Sequence, residues 1–421
     1  MTAILALVLL TAACSSPAEP VEPAATGETA AERPTERTTP TPTTPALQAF
    51  EAPTRFEGTP ARVVLPALSG NLAGDFTSSF TLAGTMAYGV TGTSVGAVDL
   101  ATGETTWETP FPHASDDGVA AVFYDERRPG APVPSEDGET LYAAVPVSIP
   151  GVGTTPRREA FEVMAVEAGS GEVLWSALLD DEYTGLAESQ KARVDTVVDG
   201  RVVVSLSGQT ATLDEADGSA LWASRDALEA VTDEAVLVTT GTGPSKGDPT
   251  YPTLAGLDPV TGERLWTIGD SQDPRTSIAG TSTFDADDAL VVTAYHYTGA
   301  DPWTAVLDPA TGKILRTLDV TIGPVRQDGE NLYDVSNGLR ALDPETFEPS
   351  WSKGLGSGVE VENPYFFAGL VYGRAQGRGV ILDGRTGVDV AVDIAGTFVA
   401  VNEYGALMLR DGELVFVPAT A

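Results

Sequence analysis

The sequence predicts an all-β fold in which one four-stranded unit recurs around a ring. Three observations predict it: a phrase that occurs seven times, short β-branched runs between its copies, and turn dipeptides ahead of those runs. The first copy reads Ala-Val-Asp-Leu-Ala-Thr-Gly-x-x-x-Trp over 97–107. The others are VEAGSGEVLW at 166–175, LDEADGSALW at 213–222, LDPVTGERLW at 257–266, LDPATGKILR at 307–316, LDPETFEPSW at 342–351 and LDGRTGVDVA at 382–391. Their acidic residues fall at 99, 167, 214, 258, 308, 343 and 383, at intervals of 68, 47, 44, 50, 35 and 40 residues. That is the length of one four-stranded propeller blade plus variable loops.

Each element follows in order. Runs such as Leu141–Val145, Val202–Leu206, Ala235–Val238, Leu290–Ala294 and 366–371 precede the motifs, and Asp137-Gly138, Asp199-Gly200 and Asp328-Gly329 precede three of them. Apolar runs bounded by Asp-Gly pairs are strands and hairpins. Within the motif, Asp99, Asp214, Asp258, Asp308, Asp343 and Asp383 can accept bonds from turn N–H groups. Gly103, Gly171, Gly218, Gly262, Gly312 and Gly387 suit a left-handed turn position. Trp107, Trp175, Trp222, Trp266 and Trp351 begin the outgoing strands, so five of six tryptophans share one slot. A flat ring at a fixed place in each sheet suits packing between neighbouring blades.

The phrase resembles the repeat of the PQQ-like (quinoprotein alcohol dehydrogenase-like) β-propellers, over roughly residues 60–421. Copies five to seven depart from it: Arg316 and Ala391 occupy the Trp slot, and Phe347 the Gly slot. Strand candidates at 397–401, 406–409 and 413–417 follow the last copy, and one at 61–65 precedes the first. If the early strand joins the late ones, the ring closes with eight blades; seven is the alternative. The resemblance also implies eight, with closure of this kind.

The N-terminus is expected to be an address. Residues 3–13 are an apolar run too short to span a membrane but right for a signal peptide. It ends in Leu-Thr-Ala-Ala-Cys14, which resembles a bacterial lipobox, with Leu10 one place further from the cysteine than usual and no basic residue before it. Cys14 is the only cysteine in 421 residues, and lipidation is its expected fate. Residues 14–59 are rich in Pro, Thr and Glu and form the expected disordered linker, with 1–13 as signal and 60–421 as propeller. Such a stalk, at ~3 Å per residue, reaches on the order of 100 Å from a membrane.

The net charge of −36 disfavours nucleic acid as a partner. Four lysines against twenty arginines, with abundant alanine, point to a GC-rich, actinobacterial (Gram-positive) source.

Chemistry is harder to find. The resemblance raises a dehydrogenase using PQQ and Ca²⁺, yet the vicinal cysteine pair common in those enzymes is missing and no segment aligns with their calcium ligands. No cofactor is expected; Ca²⁺ has no support beyond the resemblance. His113 and His296 are far apart in sequence, which disfavours a zinc site. Gly92-Thr-Ser-Val-Gly96 has the nucleophile-elbow spacing but no helix after it, so it is read as a hairpin. Gly241–Gly247 lacks the Lys-Ser/Thr of a phosphate loop, and 180–182 and 285–288 lack the closing Glu of a calcium loop. Two non-enzymatic functions are then left: a membrane-tethered, extracytoplasmic scaffold or sensor for envelope and membrane proteins, and a small-ligand or glycan binder using Tyr251, Tyr295, Tyr297 and Trp303.

Overall fold

A computed structural model of the chain describes residues 46–56, 61–62, 80–114, 129–151, 154, 158–179, 192–206, 208–240, 253–268, 278–283, 290–294, 303–318, 322–323, 325–329, 331–335, 338–354 and 361–421. Every regular element among them is a β-strand, and the strands form eight four-stranded sheets. Seven sheets each use four consecutive strands and carry one motif copy. They are blade 1 (80–110), blade 2 (133–179), blade 3 (192–224), blade 4 (227–268), blade 5 (278–318), blade 6 (325–353) and blade 7 (362–394). The eighth sheet has no motif. It takes three strands from 397–418, and its fourth, Ala61–Arg62, comes from the other end of the chain. Ala61 pairs with Phe416 and Arg62 with Val415 in antiparallel register.

Apolar side chains point from both sheet faces towards the neighbouring blades, because successive residues of a strand alternate sides. Val95 and Ala97 of blade 1 meet Leu141, Val145 and Met164 of blade 2. Phe161 and Val163 of blade 2 meet Val202, Val204 and Leu213 of blade 3. Equivalent clusters join blades 3 and 4, 4 and 5, 5 and 6, 6 and 7, and 7 and 8. The last joins Val399, Leu407 and Phe416 of blade 8 to Ala87, Val98 and Leu100 of blade 1, so the ring is closed. Each fully buried aliphatic side chain contributes about 1.5–3 kcal/mol to this stack.

The turn between strands one and two and the motif turn between strands three and four lie at one end of each blade. Backbone bonds tie them together: Leu100 N to Thr85 O at 2.9 Å, Ala168 N to Glu139 O at 2.8 Å, Glu215 N to Gly200 O at 2.9 Å and Gly384 N to Gly369 O at 2.9 Å.

Composition places residues 46–56 in the linker, but they pack on the ring. Leu47 lies against the blade 8–1 cluster, and Ala52 and Phe56 against the blade 7–8 cluster. The reason is local: Leu47, Phe50 and Phe56 give this stretch the apolar anchors that the preceding Pro/Thr/Glu sequence lacks. The rest of the linker, the apolar run and Cys14 lie outside the described residues.

Candidate functional site

The motif turns are built alike. Asp99 Oδ1 accepts from Thr102 N at 2.9 Å, Asp214 Oδ1 from Ala216 N at 2.8 Å, and Asp308 Oδ1 from Ala310 N at 2.9 Å. Asp258 Oδ1 takes both Val260 N and Thr261 N, at 2.9 and 2.8 Å. Asp343 and Asp383 take the amides of Thr346 and Thr386, at 2.8 and 2.7 Å. At Asp258, Asp343 and Asp383 such bonds favour the ionised form. The Thr261 amide holds the Asp258 carboxyl below its ordinary range, the Thr346 amide does so for Asp343, and the Thr386 hydroxyl and amide do so for Asp383. A second bond closes each turn, from Gly103 N to Asp99 O at 2.7 Å and its counterparts.

Each motif tryptophan reaches into the next blade. Its indole N–H donates to the carbonyl of the residue after that blade's motif acid. Trp107 Nε1 bonds Ala168 O at 3.0 Å, Trp175 Nε1 bonds Glu215 O at 2.9 Å, and Trp222 Nε1 bonds Pro259 O at 3.1 Å. Trp266 Nε1 bonds Pro309 O at 2.7 Å and Trp351 Nε1 bonds Gly384 O at 2.9 Å. The ring then lies on the next motif's glycine. A Cβ on Gly262 would fall 2.7 Å from Trp222, and one on Gly387 2.7 Å from Trp351. The glycines at 103, 171, 218, 262, 312 and 387 all have φ between 66° and 74°. The motif glycine therefore serves both a left-handed turn and a seat for the neighbouring indole.

Three junctions depart from this clamp, one of them between blades 8 and 1, where the motif-less blade 8 supplies no tryptophan. Between blades 5 and 6, Arg316 replaces the Trp and Phe347 the Gly. The guanidinium sits 4.9 Å from the Phe347 ring centroid and donates to the Glu345 carbonyl. Between blades 7 and 8, Ala391 leaves the slot without a ring.

A tyrosine slot recurs beside the tryptophans, on the second strand of four blades. Tyr88, Tyr142 and Tyr333 pack against Trp107, Trp175 and Trp351, with centroids 6.3, 5.8 and 6.4 Å apart. Tyr372 holds the same place in blade 7. Burial pushes the phenol ionisation of all four upward. Tyr142 Oη donates to Glu215 Oε1 at 2.9 Å, and Tyr372 Oη to Pro53 O at 2.8 Å, whereas Tyr333 Oη is buried with no partner among the described residues. The slot was readable as a recurring Gly-x-x-x-Tyr at 84–88, 138–142 and 329–333.

Glu162 is a fully buried carboxylate in blade 2. It accepts from Ser176 Oγ at 2.7 Å, His113 N at 3.0 Å and His113 Nδ1 at 2.9 Å. This ties the segment after blade 1 to blade 2. The Ser176 hydroxyl donates to Glu162 and not to an imidazole nitrogen, so Ser176 and His113 are not placed as a nucleophile–base pair. Ser94, the central serine of 92–96, begins the third strand of blade 1 and donates to Glu108 Oε1 at 2.6 Å. Asp334 and Arg340 form a further pair inside blade 6.

Tyr251, Tyr295, Tyr297, His296, 180–182, 241–247 and 285–288 lie outside the described residues. Trp303 begins a strand of blade 5 and pairs with Ala294 in register, and its side chain lies outside them too.

A quinone with its calcium requires free carboxylate and amide oxygens converging on one point. The motif aspartates are instead engaged by turn amides, one in each of six blades. Among the described residues no three His, Cys, Asp or Glu side chains converge on a metal-sized space. Among the described residues the motif carboxylates do not make up such a donor set.

Fold and motif together define a closed all-β propeller whose blades are joined head to tail. Residues 159–340, a little under half the chain, match a PQQ-repeat family described as "Outer membrane protein assembly factor BamB". The motif continues on both sides of that segment, so the chain is similar to the PQQ-repeat propellers beyond the matched residues as well. The chain is similar to BamB from Moraxella catarrhalis, with 16% identity, 86% of this chain and 100% of that chain covered, and a TM-score of 0.50. It is also similar to a europium-containing methanol dehydrogenase, with 13% identity, 80% and 81% covered, and a TM-score of 0.47. Likeness at these identities is of fold alone. No curated protein matches the sequence.

Proposed function

We propose that the protein is a non-catalytic propeller of the bacterial envelope, tethered through Cys14, that acts as a protein-binding scaffold. The observation that carries this reading is where the recurrent polar groups go. The motif Asp oxygens and indole N–H groups are taken up by turns and inter-blade clamps. The repeat thus supplies a rigid ring, and rigid rings suit presentation of variable loops to partners. The family description of an outer membrane assembly factor is consistent with such a role. The charge of −36 turns the surface away from nucleic acid and towards neutral or cationic proteins.

Affinity capture of the full-length chain from cross-linked membranes tests the scaffold. Repeated recovery of the same envelope protein near equal stoichiometry is expected, and recovery of none across independent preparations overturns it. Cys14→Ser tests the tether separately. It is expected to move the protein from the membrane to the soluble fraction, and unchanged fractionation refutes the anchor.

A further inference from the structure

The blade 7–8 junction lacks a motif tryptophan, yet its slot is not left open. Phe56, from the segment ahead of the propeller, is buried in the cluster that includes Ala391, Tyr372 and Phe398. Its ring lies 6.3 Å from Tyr372 at 75° and 5.4 Å from Phe398 at 66°. In blades 1, 2 and 6 the tyrosine of this slot meets the tryptophan of its own fourth strand. In blade 7 it meets Phe56. The polar half of the clamp is replaced as well: the Tyr372 hydroxyl bonds the buried Pro53 carbonyl at 2.8 Å.

Three more contacts fasten the same segment to blade 8. Phe50 N donates to Glu403 O at 2.7 Å, and Thr420 N donates to Arg55 O at 3.1 Å. Arg55 Nη1 donates to Ala421 O at 2.9 Å, joining the segment to the C-terminal residue. Five residues further on, the chain adds Ala61–Arg62 as the outer strand of blade 8. Segment and strand thus act on one blade, from its first turn and from its edge.

We propose that residues 46–56 are a ring-closing clasp, in which Phe56 stands in for the tryptophan missing at Ala391. The tether and the ring are then coupled. A pull on the N-terminal segment loads Phe56 and Arg55 before it reaches Ala61–Arg62, so the blade 7–8 seam is the part of the ring that yields first.

Amide hydrogen exchange of the full chain tests this, comparing wild type, Phe56→Ala and Phe56→Ala/Ala391→Trp. Phe56→Ala is expected to speed exchange in 370–375 and 397–402 by about tenfold or more, with blades 3 and 4 unchanged. The added tryptophan is expected to restore protection there, because it supplies the ring from the fourth strand as in the other blades. Uniform loss of protection in all blades, or no restoration by Ala391→Trp, overturns the clasp. Where Phe56→Ala does not accumulate, Phe56→Leu and Arg55→Ala replace it. They are expected to give the same local pattern at smaller amplitude, and exchange unchanged from wild type in both overturns the proposal.

Discussion

The Arg316 guanidinium lies 4.9 Å from the centroid of Phe347, so the two departures from the motif face one another across the blade 5–6 junction. Elsewhere the large ring is the donor's and the glycine is the seat. Here the seat carries the ring and the donor is cationic, while the bond to a backbone carbonyl moves from the first to the second residue past the acid. Phe347 holds φ at 61°, in a region glycine occupies at the other copies.

The exchange is therefore a coupled one. Arg316→Trp alone would press an indole onto Phe347 and cost about 1–3 kcal/mol by overpacking. Phe347→Gly alone would remove a buried ring and cost about 3 kcal/mol or more. The double variant rebuilds the clamp of the other junctions and should be more stable than the sum of the singles by at least about 1 kcal/mol in urea unfolding. Strict additivity would show that the two positions do not interact.

Glycines that share a backbone angle should separate by their neighbours. Gly262 has φ 70° and the Trp222 ring within 2.7 Å of a Cβ, while Gly200 has φ 74° and nothing within 4 Å. Gly200→Ala should cost about 1 kcal/mol, from the left-handed angle alone. Gly262→Ala adds displacement of the indole and should cost about 2–4 kcal/mol in all. Equal losses of melting temperature would refute the seat.

The tyrosine slot makes an opposed pair. Tyr333→Phe removes a buried hydroxyl with no partner among the described residues and should leave stability unchanged or raise it by about 1 kcal/mol. Tyr142→Phe leaves Glu215 without its phenol donor and should lower it by about 1–2 kcal/mol. Calorimetry on both variants decides; a lower melting temperature for Tyr333→Phe would mean that its hydroxyl is satisfied.

Acid should loosen the turns. The folded-state carboxyls of Asp258, Asp343 and Asp383 titrate below their unfolded value. Their contribution is therefore complete above about pH 4–5 and is lost as pH falls through the depressed values. Asparagine at all three keeps an amide-accepting oxygen without a titrating proton. The triple variant should melt below wild type near pH 7, approach it near pH 3, and so show a shallower fall in melting temperature between pH 5 and 3. Parallel acid limbs would assign the acid sensitivity to other groups.

The blades were legible because the motif is local. Acid, glycine and tryptophan sit within nine residues of chain, and Asp258 to Trp266 is one turn and one strand start. The indole's acceptor was not legible, since it is a main-chain carbonyl that any residue supplies, as Ala168, Glu215, Pro259, Pro309 and Gly384 do. Glu162 looked like any strand glutamate, and only the fold brings His113 and Ser176 to it. Phe56 was masked by the composition of its surroundings. A window average over a Pro-rich stretch hides single anchors that matter only once blades 7 and 8 stand beside them.

The indole clamp is directional: every standard blade offers a donor on its outgoing strand and an acceptor turn on its incoming side. Such a contact is heterologous, and a unit that carries both halves is compatible with copies of itself. An extra blade spliced between 3 and 4 would find a fitting face on each side. One spliced between 5 and 6 would meet Phe347 where it needs glycine, and one placed after 7 would meet Ala391 and the clasp. Ring size is thus interchangeable along one arc of the molecule and fixed on the other, which makes blades 2 to 4 the place to lengthen or shorten the ring by design.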